Sequence, residues 1–227
     1  MLIRLIVLLS VVLAFANAAN NATDHTKQYL TRSAVSSCLD VTAGFDGVYL
    51  LSPALSSIAP FPAYCEVEAG GWTVIHRRFD NSVSFNRSWT EFSDGFGNLQ
   101  GEYWLGLEKM HQITRARNHE LMVLTTLRDG SSRSARFDRF AVGSEFKLYQ
   151  LRIGRFVSGN LYSDFKQHNG TTFSTYDKGG VGQYCAPMIG GGWWYSNCYY
   201  ENWNLPFESN GWRMYEKEAR MLIRPFD

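Results

Sequence analysis

The chain has no surplus of either charge. Its 22 basic side chains stand against 21 acidic ones, a formal net charge of +1. Such a balance gives no general attraction to phosphate backbones or acidic membrane surfaces, so nucleic acid is excluded as a default partner. It also lacks a Cys-x-x-Cys pair, and its five histidines, His25, His76, His111, His119 and His168, show no metal-ligand spacing. No nucleophile elbow, P-loop or dinucleotide fingerprint is present, and the chain is read as a non-enzyme. Glu66 and Glu68 would share one face of an extended segment, but paired carboxylates without motif context are solvated decoration. Nor is there a βαβ rhythm, an internal repeat, a heptad series or a Gly-X-Y series. What is present is apolar: 45% of residues are hydrophobic and 15% aromatic, which excludes disorder and allows an ordinary core.

The first eighteen residues read as a signal peptide, not as part of the fold. Arg4 supplies a positive n-region, Leu5 to Phe15 an apolar run broken only by Ser10, and Ala16-Asn17-Ala18 a small-x-small cleavage site. The run is shorter than the roughly 20 residues a spanning helix needs, and no second run of that length follows. A secreted, extracellular protein without a membrane span is expected. Residues 19–36 form a flexible polar tail, and 37–227 a single domain. The tail is too short for a collagen stalk or coiled coil, so a homo-oligomer would have to form through the domain itself.

An oxidising compartment changes how the four cysteines read. Cys38, Cys65, Cys185 and Cys198 are an even set, so two disulfides are the default and none is left for an interchain bond. Three connectivities are possible; pairing neighbours in sequence would close two short loops, each worth roughly 3 kcal/mol. Three sequons, at Asn21, Asn86 and Asn169, mark candidate glycosylation sites.

From Cys38 onward the pattern is mixed. Gly70-Gly71 precede a β-prone run, Trp72 to Arg78. Ser88-Trp89-Thr90-Glu91 has capping-box spacing, with Gly95 placed to end the helix. A second helix is expected from about Glu102 to Ile113, where Trp104, Leu107 and Met110 fall three apart. Leu121 to Leu127 reads as a buried strand, Asp129-Gly130 as a turn, and Ala135 and Phe137 as part of a second strand. Tyr149, Leu151 and Ile153 alternate with polar residues, as Ala219, Met221 and Ile223 do near the C-terminus. These elements predict an α+β fold with an antiparallel sheet. Thr171 to Trp212 has almost no periodicity but is rich in Gly, Asn and aromatics. Its rings either form the core of a loop-rich region or present a rigid binding surface.

The run Gly70-Gly71-Trp72-Thr73-Val74-Ile75 resembles the start of a fibrinogen C-terminal (fibrinogen-related) domain. Phe85-Asn86-Arg87-Ser88-Trp89, Gly95-Phe96-Gly97-Asn98-Leu99, Gly101-Glu102-Tyr103-Trp104-Leu105-Gly106-Leu107, Gly192-Trp193-Trp194-Tyr195 and Ile223-Arg224-Pro225 continue the likeness, which spans roughly Ser37 to Asp227. The group includes ficolins, tachylectins, angiopoietins and tenascins. The resemblance implies pairing of Cys38 with Cys65 and of Cys185 with Cys198. It also implies a central antiparallel sheet with short helices, and a loop-rich C-terminal subdomain carrying the ligand site.

At that site the sequence departs from the family. Calcium-binding relatives carry an acidic run before the third cysteine; here it reads Asp177-Lys178-Gly179-Gly180-Val181. Calcium needs six to eight oxygen ligands, so Asp177 is read as a remnant and no metal or other cofactor is expected. The acetyl-group pocket of the lectin-like members is altered as well. Asn197-Cys198 is retained, but Tyr199 replaces a His, and Ile189 stands where a pocket Tyr is usual. Asn202-Trp203-Asn204-Leu205 replaces Asn-Leu-Asn-Gly, while Trp212 matches the pocket-wall Trp. Candidate ligand-binding residues are therefore Ile189, Asn197, Cys198, Tyr199 and Trp212. The expected partners are extracellular glycans or acetylated compounds, with a role in innate defence. The alternative is a cell-surface or matrix protein held by the same face.

Overall fold

Strand β3 (Trp72–Arg78) organises the fold because neither of its faces meets water: six of its seven residues are buried. Its Trp-Thr-Val-Ile sequence suits a pleated surface covered on both sides. The computed structural model describes residues 33–161, 164–198, 202–205 and 216–226. Within them β1 (Gly47–Leu51), β2 (Phe61–Glu66) and β3 form a meander, and β4 (Phe96–Gly97) and β5 (Tyr103–Trp104) add a short hairpin to β3. The sheet continues through β6 (His119–Leu127), β7 (Ser132–Val142), β8 (Leu151–Ile153) and β9 (Phe156–Gly159). The last strand, β10 (Glu216–Pro225), inserts between β3 and β6, giving the order β1-β2-β3-β10-β6-β7-β8, with β9 also on β7. Every pairing between these strands is antiparallel. The fold is thus α+β, as the sequence pattern predicts.

Among the described residues three α-helices flank the sheet: α1 (Trp89–Asp94), α2 (Leu107–Ala116) and α3 (Cys185–Ile189). Helix α1 starts with the expected capping box: the Ser88 hydroxyl accepts from Glu91 N–H, and the Glu91 carboxylate accepts from Ser88 N–H. Gly95 ends it at φ 92°, where any Cβ would collide with the Leu105 carbonyl. The expected Glu102–Ile113 helix begins five residues later. Tyr103 and Trp104 pair with β3 and β4 instead, so Trp104 enters the core from a strand. Gly106, at φ 112°, turns the chain into the helix, whose inner stripe is Leu107, Met110 and Ile113. The spacing of three at Trp104 arose from a strand abutting a helix. Tyr149 likewise falls outside β8, in a left-handed conformation. Glu68 lies past the end of β2; Glu66 is buried and pairs with Arg220 at 2.5 Å, so the two carboxylates do not form a facing pair.

Cys38 pairs with Cys65, joining the 3-10 turn Cys38–Asp40 to β2, and Cys185 pairs with Cys198. Gly71 (φ 77°) lets Leu39 pack directly on the backbone before β3. Val35, ahead of that turn, already bridges to Leu51. The core is an aromatic stack. Phe92, Trp104, Phe173 and Trp194 lie with ring centroids 5.0–5.8 Å apart, and Trp193, Trp203 and Phe165 extend it towards the C-terminal loops. Each such ring contributes roughly 1.5–3 kcal/mol by burial, enough to hold loops that have little secondary structure.

Candidate functional site

The loop-rich region is fastened from within. Trp194 donates its indole N–H to the Tyr149 carbonyl at 2.8 Å, and Ser174 and Trp193 exchange backbone hydrogen bonds at 2.9 and 3.0 Å. The Asn204 amide donates to the Gly192 carbonyl at 2.8 Å, and the Asn202 amide to the Tyr195 hydroxyl at 2.9 Å. Trp193, Trp194, Tyr195 and Trp203 are all buried. These four rings are therefore core rather than binding surface. Tyr199, Tyr200, Phe207, Trp212 and Tyr215 lie outside the described residues.

The surface over this base centres on the Cys185–Cys198 disulfide, whose Cα atoms are 5.1 Å apart. Asn197 is exposed beside it, and Cys198 is half-buried. Ile189 packs partly against the core at the end of α3. The structure thus gathers Ile189, Asn197 and Cys198 on one disulfide-closed loop, while Tyr199 and Trp212 fall outside the described residues. Two residues that sequence reasoning missed lie immediately before this loop and within it. Tyr184 is 86% and Met188 65% exposed. Four apart across the start of α3, they share a face. Their side chains carry no periodic signature in a five-residue helix; the position of Tyr184 next to a cysteine was the available hint.

The segment beginning at Asp177 does not fit a calcium ion. Asp177 Oδ1 already accepts the Trp89 backbone N–H at 3.0 Å and the Thr175 hydroxyl at 2.7 Å. Lys178 places its ammonium 2.8 Å from Glu145 Oε1 and 4.5 Å from the centroid of the Trp89 ring. The Trp89 indole N–H donates to the same Glu145 oxygen at 2.7 Å. Both partners pull the Glu145 carboxyl below its usual pKa, Lys178 first. The carboxylates are thus committed to backbone, indole and ammonium, and a built-in cation occupies the region. Among the described residues no group of three or more His, Cys, Asp or Glu side chains is placed to hold a metal.

A concavity of about 400 Å3 lies between the segment after β3 and the C-terminal loops, lined in part by Arg78, Phe85, Asn86, Gly190 and Asn204. Of these, Arg78 belongs to a buried ion pair. Arg78 and Glu102 are 3.3 Å apart, and Arg78 also donates to the Asn204 carbonyl and to Asn81 Oδ1, both at 2.9 Å. Glu102 accepts the backbone N–H groups of Phe79, Asp80, Asn81 and Val83. The guanidinium is therefore spent on structure and not offered to a ligand. Asn86, on the rim, is an exposed sequon residue.

The model for the C-terminal globular domain of fibrinogen beta and gamma chains matches residues 36–218. The chain is 40% identical to human ficolin-3 over 147 residues, 63% of this chain and 49% of the relative. It is 41% identical to mouse angiopoietin-related protein 6 over 145 residues, 62% of this chain and 32% of the relative. With human microfibril-associated glycoprotein 4 it shares 37% identity over 168 residues, 70% of this chain and 66% of the relative. It thus spans less than half of the first two. Among solved structures, the fibrinogen-like globe domain of human ANGPTL2 superposes with a TM-score of 0.74 at 32% identity, covering 84% of this chain and 98% of that domain. Lamprey fibrin D-dimer, complexed with the peptide Gly-His-Arg-Pro-amide, gives 0.68 at 25% identity, covering 95% of this chain and 85% of that one. No helix among the described residues is long and apolar enough to cross a membrane. Because the family model matches well over half of the chain, the chain belongs to the fibrinogen C-terminal globular domain family, whose domains serve as recognition modules.

Proposed function

We propose that this chain is a secreted recognition module that binds glycans or acetylated surface compounds on its loop-rich C-terminal face, in innate defence. One observation carries the reading. Tyr184 and Asn197 immediately precede the two cysteines of one disulfide, so an exposed phenol ring and an exposed carboxamide project from neighbouring points. An aromatic face packs on the C–H face of a sugar ring, and an amide hydrogen-bonds its hydroxyl or acetyl oxygen. The stiff tryptophan base beneath them keeps the pair oriented. Ile189, Tyr199 and Trp212 are proposed to complete the face. Recognition is calcium-independent, because Asp177 and Lys178 are used internally. Single-site sugar binding is weak, so avidity would come from a homo-oligomer formed without an interchain disulfide. Asn21, Asn86 and Asn169 are proposed to carry glycans; one at Asn86 would shield the concavity beside Arg78.

Retention of purified, glycosylated protein on N-acetylglucosamine resin tests this, with plain resin as control and with calcium or chelator present. Specific retention that survives chelator and is eluted by free acetate is expected, and Tyr184→Ala should abolish it. Failure to bind sinks the acetyl-recognising reading. It would favour the second one, a protein-binding ligand or matrix component, which the exposed Met188 beside Tyr184 and the similarity to angiopoietin-related proteins support.

A further inference from the structure

On the other side of the 144–149 loop, α2 and the outer surface of β7 and β8 enclose a groove of about 310 Å3. Its lining includes His111 and Arg115 from α2, Arg139 from β7, Lys147 from the loop and Arg152 from β8, and it contains no carboxylate. Strand register brings two of these cations together. Arg152 lies opposite Ala141, and Arg139 is two residues along the same face of β7. The two arginines are therefore diagonal cross-strand neighbours, with backbones about 7–8 Å apart. His111 and Arg115 are one turn apart on the helix. The helix is pinned to β7, with the Thr114 hydroxyl accepting from Val142 N–H at 3.1 Å and His111 Nδ1 2.9 Å from the Val142 carbonyl.

The loop that supplies Lys147 is held stiffly. Leu148 and Tyr149 both adopt φ 48°, a left-handed conformation that costs non-glycine residues about 1–2 kcal/mol each. Tyr149 keeps it in place. Its hydroxyl lies 2.8 Å from Ser93 Oγ and 3.0 Å from Glu108 Oε2, and its ring stacks on Trp89. The neighbouring carboxylates are committed elsewhere: Glu145 to Lys178, Glu108 to Tyr149 and Gln112, and Asp138 to Arg155. Arg139, Lys147 and Arg152 form no ion pair among the described residues. In a chain of net charge +1, this is a local arrangement and not a general excess. Like charges gathered without counter-charges repel one another, and an anion relieves that repulsion.

We propose that this groove binds the sulfate groups of a linear sulfated polysaccharide. The guanidinium forks of Arg139 and Arg152 suit tetrahedral oxyanions, and their separation lets each take a different group along one chain. The signal-peptide reading of residues 1–18, on which this rests, sends the protein to a compartment whose linear polyanions include sulfated glycans. None of the lining residues belongs to the Tyr184–Asn197 face, so this is a second site with its own ligand chemistry.

The test is binding of a heparin oligosaccharide across a salt series, with the N- and O-desulfated oligosaccharide as control. The full chain should bind the sulfated probe, with log affinity falling linearly with log salt. Arg139→Ala with Arg152→Ala should weaken binding about tenfold or more and reduce that slope by about two. Arg133→Ala, at the distant end of β7, should leave it unchanged. The replaced side chains are exposed and lack ion pairs, so an unaltered thermal midpoint confirms that the variants are folded. Absence of binding, equal binding of the desulfated probe, or a double variant that binds like the parent would each overturn the proposal.

Discussion

Asp177 accepts the backbone N–H of Trp89 at 3.0 Å, so the C-terminal loop caps a helix 88 positions earlier in the chain. The bond satisfies one of the donors that every helix N-terminus leaves open. Next to it, the Lys178 ammonium bridges the Glu145 carboxylate and the Trp89 ring. An acid and a lysine thus fix the loop to the scaffold from within.

Calcium should therefore leave the protein's stability untouched. Thermal midpoints in calcium and in chelator are expected to coincide, and a calcium titration followed by calorimetry to be flat. Asp177→Ala should lower stability by about 1 kcal/mol, the usual cost of losing a cap. A midpoint that rises with calcium would show that Asp177 is a ligand after all.

Glu102 is expected to be the most costly polar residue to replace. Its carboxylate meets Arg78 and four backbone donors of the 79–83 segment while fully buried. Glu102→Ala leaves the Arg78 charge without its partner and should cost about 3–5 kcal/mol. Pairing it with Arg78→Leu should cost less than the two single changes added together, because the second change removes the stranded charge. Urea unfolding of the four proteins measures the coupling; strict additivity would mean that the ion pair is not what holds the 79–83 segment.

Much of this architecture is legible in the sequence wherever a local rule has one solution. Ser88 and Glu91 announce α1, and the alternation at Ala219, Met221 and Ile223 announces β10. Trp104 misleads because spacing of three does not distinguish a helix from a strand that runs into one; only the partner strand, β3, decides. The loop-rich site is less readable for a physical reason. Trp193, Trp194 and Trp203 are placed by contacts with Phe173, Phe165 and Tyr149, none of which leaves a periodic trace. Their burial, and the exposure of Tyr184 and Met188, follow from tertiary packing alone. The cationic groove is hidden in the same way: Arg115, Arg139, Lys147 and Arg152 are scattered along the chain and meet only through strand register and the packing of α2 and the 144–149 loop on β7.

Acidification should destabilise the protein through two histidines well before most carboxylates titrate. His76 is wholly buried against Phe85 and Trp104; burial, aided by the Arg78 charge, lowers its pKa from 6.5 to about 3. Burial takes His119 to about 4. The unfolded chain takes up these protons below 6.5, whereas the native state resists until about 3 and 4 respectively. Across that window the unfolded state binds more protons, so stability is complete above pH 6.5 and falls as pH drops. The slope approaches about 1.4 kcal/mol per pH unit for each histidine. Urea midpoints between about pH 7 and pH 5 should show the decline, and His76→Leu should flatten it by close to one proton whatever its effect on stability at neutral pH. If the variant keeps the parent's slope, His76 is not a proton-excluding core residue, and the aromatic base under the binding loops must be open to water.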